Sequence, residues 1–435
     1  MKLNTLRVSA SIVIAGLIGA GSSGVPANAA ATPKLEATPF VLASGHTLTS
    51  SEAQTMLETL ARQRVADVLV TTSPNRPTLV PARSSKKFNA KREIEKPIVA
   101  ARKERLKGFG FYYSSASTTV NVVDISGTAI EATVKFDELS KMYLASYASG
   151  PSPTPEQTRV RQTARFINTG AGWTLDDWSP DNPQGLPSAI VDHSASATNL
   201  SPEVKKPQQQ ANPGQIGAIP GTPGNTKPKP GTASAAAHAA VARSSENSTS
   251  NLRIAAARTT NGDGNYTAAL ASTGYNYTAM VNYTYQYWYY YNPSYNAYPS
   301  DCTNFVSQAL RAGGWGMVDN ATWYTDNNNW YYYPWVATRS WTSVADFFTF
   351  AIYGSGRTYE LAYLNSMGPA DVEIADWDGN GTKDHAMMVT SWAAGGGWAG
   401  YNDIRVTYHT NDTRDMSIWS LYVNNPGGIW YALRT

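Results

Sequence analysis

One stretch limits how this chain can be assembled. Residues 194–262 are made largely of Pro, Gly, Ala, Ser, Asn and Gln, and residues 207–231 hold many prolines and glycines with almost no large apolar side chain. Such a segment cannot bury enough surface to offset the entropy lost on ordering. It reads as a disordered linker, with at most a transient helix at 233–242. The 435-residue chain is long enough for a separate core on each side of it. The expected order is a first module over residues 30–193, the linker, and a second domain over residues 263–435.

Residues 1–29 read as a leader, not as fold. Lys2 and Arg7 precede an apolar run at 8–21, and Ala27-Asn28-Ala29 follows as a small-residue cleavage signal. That order is the signature of a secretory signal peptide. The run is shorter than the ~20 apolar residues of a stable span, and no later run reaches that length. The mature protein is therefore expected to be secreted and extracellular, with no membrane span. Export also removes nucleic acid as a partner.

Cys302 is the single cysteine of the chain, so no intrachain disulfide can form. An unpaired thiol outside the cell is open to oxidation and is seldom kept without a use. The plain alternative is a buried cysteine serving as a small apolar residue. Charge is distributed unevenly. From Asp263 onward 7 Lys/Arg stand against 14 Asp/Glu, while the rest of the chain carries 28 against 18. Residues 83–107 alone hold ten Lys/Arg and three Glu. Such a run is either a solvated face or a contact for an anionic envelope surface.

In the first module, residues 47–71 read as a helix capped by Ser50 or Ser51, with Met56, Leu57, Leu60, Val65 and Val68 as its stripe. Strand-rich runs follow from Phe109, ending in a hairpin whose turn is Thr169-Gly170-Ala171-Gly172. A helix followed by a meandering sheet makes a small α+β module. His46 and His193 fall in loop-like contexts and read as surface residues. In the second domain, alternating tyrosines at 283–291 suit a strand, yet residues 275–291 also suit a helix stopped at Asn292-Pro293. Residues 302–312 form an apolar-striped helix ended by Gly313-Gly314. Residues 344–353 read as another helix, and short strands are expected at 371–374, 385–392, 404–409 and 430–433. The whole reads as α+β, with helices packed on an antiparallel sheet.

The helix starting at Cys302 carries about half a positive charge at its N-terminus. That field lowers a thiol pKa and can later hold an oxyanion. His385 opens the apolar strand His385-Ala386-Met387-Met388-Val389, and a neutral imidazole there can take the thiol proton and return it to a leaving amine. A third group to orient the imidazole is available in His409 or Asn411. Asp301, beside the nucleophile, and the aromatics Trp330 and Trp335 are the candidate substrate contacts. Aromatics at 315–341 either line a groove for sugars and peptides or belong to the core.

The blocks Asp301-Cys302-Thr303-Asn304-Phe305-Val306-Ser307-Gln308, then Asp376-Trp377-Asp378-Gly379-Asn380-Gly381-Thr382-Lys383-Asp384-His385, then His409-Thr410-Asn411-Asp412 resemble the amidase domain family of secreted Gram-positive proteins. That family is similar to the NlpC-type and papain-like cysteine hydrolases. The resemblance covers about residues 266–425. It implies a papain-like domain, a cysteine nucleophile on a helix N-terminus, a histidine on the adjoining sheet and a polar third residue. It also favours the helical reading of residues 275–291.

Asp376, Asp378, Asn380 and Asp384 match early and late ligand positions of a calcium loop, but the twelfth position is Met387 where that loop has Glu. The loop is either a calcium site or a polar turn that positions His385. The thiol chemistry itself requires no cofactor. The sequence thus reads as a secreted cysteine-dependent hydrolase of amide or peptide bonds, acting through a Cys302 thioester on peptidoglycan-like peptides. Its rival is a noncatalytic wall- or carbohydrate-binding protein using the aromatics.

Overall fold

The first helix, α1 (Ser50–Val68), starts from a reciprocal cap at Thr49, one or two residues before the serines that suggested it. The Thr49 hydroxyl accepts the Glu52 amide at 3.3 Å, and the Glu52 carboxylate accepts the Thr49 amide at 2.9 Å. Such a cap stabilises a helix by about 1 kcal/mol. The computed structural model describes residues 46–70, 83–147, 150–181, 274–361, 364–393, 403–425 and 427–435. The expected leader, His193, the linker and its short helix at 233–242 lie outside the described residues.

The basic run forms α2 (Lys86–Gly108), capped by Ser85. Much of its charge is paired. Lys87 and Lys91 pair with Asp177, Arg92 pairs with Asp67, and Glu95 meets buried Arg64 of α1 at 3.0 Å. Arg105 Nε donates to the Val423 carbonyl at 2.6 Å. Apolar residues are sparse on this helix, and arginine stems supply part of its buried face, so hydrophobic periodicity gave little sign of it.

Four longer strands and one short one follow: β1 (Phe111–Gly127), β2 (Glu131–Ser146), β3 (Gly150–Pro151), β4 (Glu156–Asn168) and β5 (Trp173–Pro180). The β4–β5 hairpin turns at the expected residues, where Gly170 has φ +79° and donates to Asn168 Oδ1. After residue 273 come α3 (Tyr277–Tyr287), α4 (Cys302–Ala312), the two-residue strands β6 (Tyr332–Tyr333) and β7 (Val336–Ala337), α5 (Arg339–Thr342) and α6 (Val344–Thr349). The remaining elements are β8 (Tyr359–Leu361), β9 (Val372–Asp376), β10 (His385–Ala393), β11 (Asp403–Tyr408), β12 (Thr413–Ser417), α7 (Ile418–Asn424) and β13 (Ile429–Arg434). The tyrosine-rich stretch is helical because Tyr277, Met280, Val281 and Thr284 form one buried stripe at three- and four-residue spacing, capped by Asn276.

The large sheet runs β1-β2-β4-β12-β11-β10-β9-β13-β8, with β3 on β2 and β5 on β4. All its strand pairs are antiparallel, and helices pack on it, so the architecture is α+β. The described residues all fall in one compact unit, residues 41–435. The sheet joins strands from before residue 182 to strands from after residue 273 where β12 meets β4 at Thr413↔Thr158 and Arg414↔Gln157. Arg159 strengthens this seam with charge-assisted bonds to Asp412 at 2.9 Å and Asp137 at 2.6 Å. Buried Glu156 accepts from Tyr113, Ser420 and the Ser417 amide.

Strand alternation gives β9, β10 and β13 two buried faces. On one face Val372, Ile374, Ala386, Met388 and Leu433 pack with α3, α4 and α6. On the other, Ala375, Met387, Val389, Trp430 and Ala432 pack with α7 and with residues of α1, α2, β1 and β2. Which face a side chain takes decides what it can reach. Among the described residues no helix is long and apolar enough to cross a membrane.

Candidate functional site

Cys302 is the first residue of α4, as expected, and its sulfur is directed at the sheet. It is 4 % exposed. The backbone amides of Ala386 and Thr303 bond to the sulfur, and the Thr303 hydroxyl lies 3.8 Å away. Burial pushes the Cys302 thiol up; those hydrogen bonds pull it down without cancelling the rise, and the charge of Asp301 adds to it. This corrects the expectation of a lowered thiol pKa. The helix end and the amides favour the ionised form, but lost hydration outweighs them.

His385 opens β10, also as expected, but its ring takes the other face of the strand from Ala386. It packs edge-on against Tyr408 at 4.8 Å between centroids and against Trp377 at 5.4 Å. Its Nε2 is buried and makes no hydrogen bond among the described residues. The sulfur therefore meets the peptide N–H that joins His385 to Ala386, not Nε2 of the imidazole. Burial drives the His385 pKa down to about 3, so the ring is neutral and keeps a lone pair.

His409 is committed elsewhere. Its Nδ1 lies 2.6 Å from Asp301 Oδ2 and its Nε2 2.8 Å from the Tyr287 carbonyl. Both partners are acceptors, which only a doubly protonated ring can satisfy. Burial opposes that charge, but the bond to Asp301 and the charges of Asp412 and Asp301 outweigh it, and the pKa is raised. The imidazolium is stacked between Phe305 at 3.8 Å and Tyr291 at 4.1 Å. It has no lone pair with which to orient a second ring, which corrects its candidacy as the third group. Asn411 has a left-handed backbone, φ +69°, in the turn between β11 and β12, and its carbonyl accepts from Thr413.

Two candidate substrate contacts are structural. Asp301 is buried and accepts from the Tyr298 amide, Asn304 Nδ2 and His409, which leaves it no free face. Trp330 is fully buried among Trp315, Trp341 and Phe350 and donates to Ser307 at 3.1 Å. It belongs to the core. Trp335 is 81 % exposed and lies near-parallel to Tyr333, so it remains available to a ligand.

The acidic loop closes on itself. Asp376 is buried and accepts the amides of Gly379, Asn380 and Gly381 at 2.8, 3.1 and 2.8 Å. Asp378 accepts the backbone and side-chain nitrogens of Asn380, and Asp384 accepts the Trp377 amide. One oxygen from each of Asp376, Asp378 and Asp384 lies within 4.8 Å of the others, a separation at which a cation could be shared. The Asn380 side chain, however, is engaged with Asp378 and with the Thr382 amide. Met387, at the twelfth position, is buried in the core. The donor set thus fits calcium only in part.

One residue of this region escaped the sequence reading. Glu373 of β9 is fully buried, and neither carboxyl oxygen has a partner among the described residues. The signal was present in Val372-Glu373-Ile374-Ala375, a carboxyl inside an apolar strand.

Comparison with known proteins agrees with the sequence resemblance for the second half of the chain. Residues 274–433 match the model of the family described as "Putative amidase domain". The uncharacterized protein YhbB of Bacillus subtilis (strain 168) is 30 % identical over 136 residues, which cover 30 % of this chain and 39 % of YhbB. The chain therefore spans well under half the length of that relative. The crystal structure of the intermembrane space region of the chloroplast protein ARC6 is 10 % identical. It covers 31 % of this chain and 98 % of its own, with a TM-score of 0.20, a likeness too slight to say anything about the fold.

Proposed function

We propose that residues 274–433 hydrolyse amide bonds with Cys302 as nucleophile and His385 as the base and then the acid. The match to an amidase domain supports the reaction class. The observation that carries the cysteine is its position at the first turn of α4, with the Ala386 and Thr303 amides directed at the sulfur. A nucleophile placed there has donors ready for the charge that develops on a substrate carbonyl oxygen.

In this reading His385 supplies the base, and its ring, packed against Tyr408 and Trp377 on the other face of β10, must leave that face before it can reach the sulfur. The S–H bond breaks as an N–H bond forms on the imidazole, and the thiolate attacks the carbonyl carbon. Collapse of the tetrahedral species breaks the C–N bond, and the imidazolium returns its proton to the leaving amine. Water then hydrolyses the thioester and frees the carboxylate. A cysteine at a helix start packed on an antiparallel sheet suits an NlpC-type or papain-like scaffold. The leader expected at 1–29 would carry the protein out of the cell, where peptidoglycan peptides are the amide polymer it would meet first. An anionic envelope surface remains a partner for exposed cations of the first module.

The test is turnover of purified peptidoglycan by wild type and Cys302→Ala, with products read by mass spectrometry. New amine and carboxylate ends are expected from wild type alone. Equal product from both proteins would remove Cys302 from the chemistry.

A further inference from the structure

The turn from β11 to β12 is held in a costly shape. Thr410 and Asn411 both have left-handed backbones, with φ +63° and +69°. Asparagine enters that region readily, but for a β-branched residue such as threonine it is an outlier. Strained backbone persists only where its surroundings fix it, and it gathers at functional sites. This turn is gripped from two sides, by the start of α4 and by the first module.

On the α4 side the turn takes hold of Asp301, the residue before Cys302. The Asp301 amide donates to the Thr410 hydroxyl at 2.8 Å, and His409 Nδ1 donates to the Asp301 carboxylate at 2.6 Å. The His409 ring stacks on Phe305 of the same helix. The Asp301 side chain makes no capping bond to α4. These contacts, rather than a cap, tie the helix start to the sheet.

On the other side β4 holds Asp412. The Arg159 amide donates to the Asp412 carbonyl at 2.7 Å. Arg159 Nη1 donates to the Asp412 carboxylate at 2.9 Å and to the Tyr289 carbonyl at 3.2 Å. The guanidinium lies 4.6 Å from the Tyr289 ring centroid, and Nη2 is anchored on Asp137 at 2.6 Å. The second Asp412 oxygen accepts from Tyr291 at 3.0 Å, and the Tyr291 ring stacks on His409. Charge therefore alternates along a buried path through Arg159, Asp412, His409 and Asp301. Burial pushes the Asp412 carboxyl up, and the charges of His409 and Arg159 oppose that rise. Loss of either end leaves its neighbour undercompensated.

We infer that Arg159 is a positioning residue for Cys302, contributed by the first module across the β4–β12 seam. By holding Asp412 it keeps the 409–412 turn in shape, and the turn fixes the start of α4. This rests on the nucleophile assignment above. Arg159 itself touches no reacting group. Its neighbours secure the same seam: Arg405 donates to the Thr154 carbonyl and the Ser152 hydroxyl, and Glu156 accepts from Ser420 and the Ser417 amide. The first module is thus a part of the hydrolase and not a spacer. Residues 274–433, which match the amidase family, lack the arginine that braces their own cysteine.

The test uses the full chain, a soluble peptidoglycan peptide and rates per folded molecule. Arg159→Ala should lower kcat on the order of 10-fold or more, since a shift of about 1 Å at a reacting group can cost 10²-fold. KM should stay nearly unchanged, because no substrate contact is removed. Arg159→Lys keeps the charge without the planar fork and should recover part of the loss. If the alanine variant does not fold, Arg159→Gln takes its place in the same comparison. Thr410→Val probes the other end with the Arg159 contacts intact. It deletes the acceptor of the Asp301 amide, keeps the β-branched shape and should also lower kcat, whereas Thr410→Ser should retain more activity. Unchanged kcat without the Arg159 guanidinium would overturn the inference. Amide hydrogen exchange in a Cys302→Ala background gives a readout that needs no turnover. Loss of Arg159 should speed exchange at the Asp301 amide and leave the β9–β10 ladder as it was. Equal Asp301 exchange with and without Arg159 would show that the brace does not exist, whatever Cys302 does. Undiminished turnover by Cys302→Ala, with Asp301 exchange still dependent on Arg159, would overturn the positioning role through its premise and leave the contact itself intact.

Discussion

Replacing His409 by Phe tests the electrostatics beside Cys302. Phenylalanine keeps the shape that fills the stack between Phe305 and Tyr291. It removes the cation that faces Asp301 at 2.6 Å, where both groups are almost fully buried. Breaking a buried pair by deleting one partner costs about 3–5 kcal/mol, because the remaining charge is left uncompensated. At about 2 °C per kcal/mol for a large unit, that is a fall in Tm of roughly 6–10 °C. The cost should depend on pH in one direction. His409 has a raised pKa in the folded state, so its contribution is complete below the unfolded value of about 6.5 and fades as pH climbs through the folded value. The gap between wild type and His409→Phe should be widest near pH 6 and narrow under alkaline conditions. Urea unfolding followed by tryptophan fluorescence at both pH values measures it. A gap below about 1 kcal/mol near pH 6, smaller than any buried pair of this kind should give, would refute the reasoning. So would a gap that does not change with pH.

Three further outcomes follow from the same physics. Trp330→Ala should cost about 3–5 kcal/mol as a core cavity, while Trp335→Ala should change stability by less than about 0.5 kcal/mol; denaturant unfolding of the two variants compares them. Asp376→Ala, which orphans three backbone amides, should lose about 2–3 kcal/mol, against less than about 1 kcal/mol for exposed Asp378→Ala. EDTA should leave the wild-type Tm unchanged, and a fall on chelation would show that the loop holds a cation. Alkylation by iodoacetamide in the absence of substrate should speed up only above the pH of an ordinary cysteine, since burial raises the Cys302 thiol. Rapid reaction at neutral pH would mean the thiolate is already formed.

The helix that begins at Cys302 was legible because its signals are local, an apolar stripe ended by Gly313-Gly314. The strand that opens with His385 and the one that ends just before His409 were legible for the same reason, being short apolar runs bounded by polar turns. Side-chain direction was not. A one-residue alternation decides whether His385 or Ala386 faces α4, and nothing in His385-Ala386-Met387-Met388 distinguishes an end that is buried on both faces. The roles of Asp301 and His409 depend on a contact made 108 residues apart. Helix α2 was hidden by its charges, whose partners Asp67 and Asp177 lie in other elements. The β4–β12 seam pairs residues more than 250 apart, which no local pattern announces.

The central claim is that an acyl group passes through the Cys302 sulfur. Acid-quenching wild type during turnover of a peptidoglycan peptide, followed by mass analysis of the Cys302 fragment, tests it directly. An acyl adduct on that fragment, released by hydroxylamine and missing from Cys302→Ala along with turnover, is the predicted result. Turnover that leaves the fragment unmodified and proceeds undiminished in Cys302→Ala would contradict it.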